Sequence, residues 1–171
     1  LIDYAMLKHA EGNWLSNFRL IIIGVINFIF TFIAIGTIDK IGRKKLLEVG
    51  SALLCLDALA LAGAFHWQLP GAWVLLFVLA FIAIYSDTIG PVTWVALSEI
   101  FPNRIRGNAL ALATLALWIT NFFNTASFPV MKQYWGLPFT FGFHAVICLI
   151  YFLFVRARVP ETKGKSLEEI E

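Results

Sequence analysis

The residues best placed to do chemistry in this chain sit inside long apolar stretches. Gly90 and Pro91 interrupt one of them, and Trp94 follows Gly90 by four positions, one helical turn further along the same face. A proline in a helix removes one backbone hydrogen bond and crowds the preceding turn. Freed carbonyls, the gap at a glycine and an indole N–H on one face suit a hydroxylated ligand whose C–H side stacks on the ring. The same residues also read as a plain kink with Trp94 as packing. Trp118 and Asn121, three apart, form a second pair of this kind, followed by Asn124. An amide in an apolar helix needs a partner, either another helix or a ligand. Asn27 and Thr31, four apart, pose the same choice and read as structural packing or interhelical bonding.

Two carboxylates are costlier. Asp57 and Asp87 fall within apolar runs, where an ionisable side chain is a functional candidate by default. By helical spacing Asp87 lies one turn before Gly90 and faces roughly the same cavity; Asp57 has no such company and reads as structural or protonated. At the ends of the runs, Asp39 and Arg43 flank Gly42, and Glu99 precedes Arg106. The planar fork of arginine bonds carboxylates bidentately. A carboxylate at one helix end and a guanidinium at the start of the next can therefore latch one conformation and release another; ordinary solvated loop charges are the alternative. His9, His66 and His144 are widely separated, and Cys55 and Cys148 each lie in an apolar run. No nucleophile elbow, phosphate loop or metal-ligand spacing is present. Catalytic residues, a metal site and an enzyme activity are therefore not expected, nor is a nucleic-acid partner, for which the basic density is too low.

Membrane helices must position these residues. Of the 171 residues, 60% are hydrophobic and 14% charged, with 16 Phe and 6 Trp. An ordinary soluble domain carries about 25% charged residues. A span needs roughly 20 predominantly apolar residues, and five runs qualify, at 18–38, 46–65, 72–97, 108–131 and 138–155. The expected class is an all-α membrane protein with five transmembrane helices. Short connections force neighbours to run antiparallel. Lys40, Arg43, Lys44, Lys45, Arg104, Arg106, Arg156, Arg158, Lys163 and Lys165 then fall on one side, against Lys8, Arg19 and Lys132 on the other. The excess of Lys and Arg marks the cytoplasmic side. Residues 1–17 are expected outside, in the extracellular or periplasmic space, 18–155 in the bilayer, and 156–171 as a cytoplasmic C-terminal tail. Trp67 and Trp135 suit an aromatic belt at the outer interface. The opening Leu1-Ile2-Asp3-Tyr4 reads as the interior of a longer chain.

Four motifs in register carry a resemblance. Asp39-Lys40-Ile41-Gly42-Arg43-Lys44, Gly90-Pro91-Val92-Thr93-Trp94, Ser98-Glu99-Ile100-Phe101-Pro102-Asn103-Arg104-Ile105-Arg106-Gly107 and Pro160-Glu161-Thr162-Lys163-Gly164 resemble the sugar porter family of the major facilitator superfamily, segments 8 to 12. The stretch Ile23-Gly24-Val25-Ile26-Asn27 looks like its bacterial members. The resemblance implies a C-terminal part of a twelve-helix transporter in two six-helix halves, with substrate between them. It implies a monosaccharide substrate, pentose or hexose, with protons as candidate coupling ion and no other cofactor. A membrane-bound sugar sensor and a polyol or inositol transporter are the alternatives. Gly90, Trp94, Trp118 and Asn121 fall where the family contacts sugar. Asp87 is a candidate cavity acid, one place off the family's acidic position. Asp39, Arg43, Glu99, Arg106 and Glu161 fall on its cytoplasmic charge network. Leu117 stands where many members carry Gln or Asn. The partners implied are the sugar, the lipid bilayer of an inner or plasma membrane, and the N-terminal half of the transporter; the resemblance also implies a Gln-Gln pair in segment 7, ahead of the stretch matched here.

Overall fold

The computed structural model describes residues 14–101 and 104–159. Glu161 and the rest of the expected tail lie outside the described residues. The described chain is helical almost throughout, as α1 (Trp14–Ile41), α2 (Arg43–His66), α3 (Gly71–Asp87), α4 (Ile89–Ile100) and α5 (Arg106–Arg158).

The turns follow from local backbone chemistry. The loop expected at 39–45 contracts to Gly42, because glycine alone takes φ 99° freely and lets both helices run up to it. Its N–H donates to the Ile38 carbonyl and its own carbonyl accepts from the Leu46 N–H, each at 3.2 Å. At the other end of α2 the Leu69 N–H reaches back to the Ala64 carbonyl (2.9 Å) and the Gln68 N–H to that of Phe65 (3.4 Å), with Gln68 at φ 51°. This is a Schellman stop, and Pro70 behind it forbids continuation.

The third apolar run, expected as one helix over 72–97, breaks at Thr88, whose φ/ψ of −118°/−85° are not helical. Pro91 explains the place. It has no N–H for the Asp87 carbonyl, and its ring crowds that carbonyl. Ending α3 at Asp87 puts Pro91 in the first turn of α4, where backbone N–H groups have no helical partner anyway.

The fourth and fifth runs, expected as separate helices, form one helical stretch, α5, interrupted at Gly136 with φ 79°, ψ 167°. The stretch folds back there. His144 Nε2 lies 3.0 Å from Asn124 Oδ1 across a separation of 20 residues, which a straight helix would hold roughly 30 Å apart. Phe128 likewise meets Phe141. Two antiparallel arms, 106–135 and 137–158, result. By length and composition four stretches among the described residues can cross a membrane, one of them α3 with α4 and one the whole of α5; the fold-back gives the last its two arms.

Packing is centred on α2, which lies against the second arm of α5 through a Phe65–Phe141 stack (5.4 Å) and a bond from Cys55 Sγ to the Ala145 carbonyl (3.3 Å). It also packs on α3, which in turn packs on α1. Gly50 is required here, since a Cβ on it would run into the Thr88 side chain at the break. The tightest core gathers Ile38, Leu46, Leu47, Val92 and Val155, drawn from four helices at the Gly42 end. Elsewhere large apolar side chains such as Phe28, Leu112 and Phe122 are exposed, as helices facing lipid or further helices require.

Candidate functional site

The charged end joins the start of α2 to the end of α4. Arg43 opens α2 and Glu99 stands near the end of α4, with Nη2 and Oε1 2.8 Å apart and both side chains largely covered. Leu46 is one turn inside Arg43 and Val95 one turn inside Glu99, so the pair caps the five-residue core. Arg43 and Glu99 thus meet across 56 residues, where α4 packs against α2. Arg106 instead donates from Nε to the Phe101 carbonyl at 3.4 Å. Asp39 sits in the last turn of α1; its side chain lies outside the described set.

Above this end, Gly90 and Trp94 share one face of α4. A Cβ on Gly90 would come within 3.1 Å of the Tyr85 carbonyl oxygen, so the glycine permits close approach of the two helices at the break. Trp94 is 45% exposed although its helix is apolar. Trp118, at 61%, and Asn121 are exposed on the first arm of α5. No ring contact or hydrogen bond among the described residues joins the two pairs.

The break at Thr88 separates Asp87 from Gly90, so helical spacing does not set their relative facing, and the Asp87 Oδ1 is buried without a hydrogen-bond partner. Ser86 Oγ and Asp57 Oδ2 are buried in the same way. Thr31 donates to the Asn27 carbonyl at 2.8 Å, within one helix rather than between two. Sequence reasoning passed over His144, which bridges the arms to Asn124 and also meets the Thr140 carbonyl at 2.7 Å. Its signal was the pairing of a histidine with an asparagine on adjacent apolar runs, legible only once Gly136 is known to reverse the chain.

A family model described as "Sugar (and other) transporter" matches residues 17–171. The chain belongs to the sugar transporter family. It is 44% identical over 151 residues to the arabinose-proton symporter of Bacillus subtilis (strain 168), covering 88% of this chain and 32% of that protein. It is 45% identical over 159 residues to the D-xylose-proton symporter of Escherichia coli (strain K12), covering 90% and 32%. Among solved structures, the major facilitator proton:xylose symporter XylE bound to 6-bromo-6-deoxy-D-glucose superposes with a TM-score of 0.84 at 41% identity, covering 91% of this chain and 34% of that one. The chain thus spans about a third of the length of the relatives it matches. The resemblance drawn from the four motifs holds. The chain is an all-α integral membrane protein of a transporter family, not an enzyme.

Proposed function

We propose that this chain forms segments 8 to 12 of a twelve-helix transporter that moves a monosaccharide across a cell membrane by alternating access. Gly90, Trp94, Trp118 and Asn121 form one wall of the sugar cavity. The observation that carries this reading is the exposure of Trp94, Trp118 and Asn121 on membrane-depth helices. Lipid cannot satisfy an amide or an indole N–H, and a sugar satisfies both while stacking on the rings. The names of relatives, arabinose- and xylose-proton symporters, point to a pentose substrate and to protons as coupling ion.

Arg43 and Glu99 act as a latch at the cytoplasmic end, with Asp39, Arg106 and Glu161 in the same network and partners in the other half. The orientation rests on the Lys and Arg excess at the Gly42 end. It is supported by the exposed Trp67, Tyr134 and Trp135 at the opposite end, at the α2–α3 turn and the Gly136 reversal. Residues 156–171 are then the cytoplasmic tail.

The test is uptake of labelled D-xylose and arabinose by the full-length protein in proteoliposomes. Saturable uptake that rises with an inward proton gradient is expected. Uptake of both sugars no faster than in protein-free vesicles would reject the reading.

A further inference from the structure

His144 sits in the second arm of α5, with Nδ1 2.7 Å from the Thr140 carbonyl oxygen and Nε2 3.0 Å from the side-chain amide of Asn124 on the first arm. A backbone carbonyl only accepts, so Nδ1 carries a proton. In a neutral imidazole the other nitrogen is then a bare acceptor. Two acceptors cannot bond, so Asn124 must offer its NH₂ to Nε2. The amide oxygen and nitrogen exchange places by a half-turn of the last torsion, and the hydrogen-bond network decides between them. The Asn124 carbonyl oxygen is thereby turned away from the seam between the arms.

That outward side is open. Asn124 is exposed, as are Asn121 one turn before it and Trp118 one turn before that. A carbonyl oxygen at this depth finds no donor in lipid. We propose that His144 is a positioning residue that fixes the amide of Asn124, so that Asn124 presents an acceptor oxygen to a sugar hydroxyl beside Asn121. This rests on the sugar-transport reading above.

The His144 ring is edged by Phe128 and Phe143, at 6.1 and 6.0 Å between centroids. From α2, Cys55 reaches the neighbouring Ala145 carbonyl and Asp57 lies two positions further along that helix; Cys148 is one turn beyond on the same arm. None of these is bonded to His144.

Histidine-selective ¹⁵N spectra of the full-length transporter read the tautomer directly, with the signal assigned by its loss in His144→Phe. The Nδ1–H form is expected at neutral pH, and the Nε2–H form would overturn the proposal whatever the transport result. In D-xylose binding isotherms, Asn124→Leu and His144→Phe should each weaken affinity about tenfold, and the double variant no further. Asn124→Asp keeps an acceptor on both sides. It should retain xylose affinity. At least one deoxyfluoro-xylose, whose fluorine cannot donate, should lose affinity in the parent and not in Asn124→Leu. Parent-like xylose affinity in Asn124→Leu, or lost affinity in a folded Asn124→Asp, would overturn the proposal. A parent that binds no sugar refutes the transport reading instead, and the tautomer still decides the geometry of the pair.

Discussion

Arg43 and Glu99 carry the clearest residue-scale consequence. Their 2.8 Å contact is largely covered, and truncating one partner leaves the other charge poorly solvated. Arg43→Ala and Glu99→Gln should therefore each alter the rate of conformational exchange, measured by sugar counterflow, with little change in sugar affinity. The double variant should have less effect than the two singles summed, because the two residues share a contact. Arg106→Ala should do less, since its recorded bond is to the Phe101 carbonyl. Additive effects would argue against a latch made by this pair. Both residues stood out in the sequence as placed charges. Their pairing did not, because adjacency along the chain says nothing of a contact made across 56 residues. The same gap hid the His144–Asn124 bridge.

At the scale of elements, apolar runs revealed which segments cross the membrane but not how they begin, break and turn. Hydropathy cannot see Gly42, Thr88 or Gly136, where a φ value and a missing N–H decide the path. Pro91 was legible as a break; the backbone departs three residues earlier because proline disturbs the turn before it. Gln68 holds a left-handed conformation at φ 51°, which costs a non-glycine residue roughly 1–2 kcal/mol. Gln68→Gly should thus raise the melting temperature in detergent, and an unchanged or lower value would speak against strain at this turn. Gly50→Ala should lower it, by an overpacking cost of about 1–3 kcal/mol, because the new methyl meets Thr88 where α2 crosses the break. A neutral Gly50→Ala would mean that the α2–α3 contact is looser than described.

At the scale of the whole molecule, composition alone placed the chain in a membrane, and four motifs placed it in its family. The chain spans about a third of its relatives. In the proposed transporter the surface opposite the exposed Trp94, Trp118 and Asn121 belongs to the rest of that length. The described helices on their own should accordingly give no sugar flux in proteoliposomes, and measurable flux would show that one wall suffices. The central claim is that this wall binds the sugar. Titration of the full-length protein with D-xylose, comparing the parent with Trp94→Ala, tests it most directly. Loss of a stacking ring, worth about 0.5–1.5 kcal/mol, predicts affinity weakened about two- to tenfold in a variant that inserts and melts like the parent; an unchanged isotherm in that variant would contradict sugar binding by this wall.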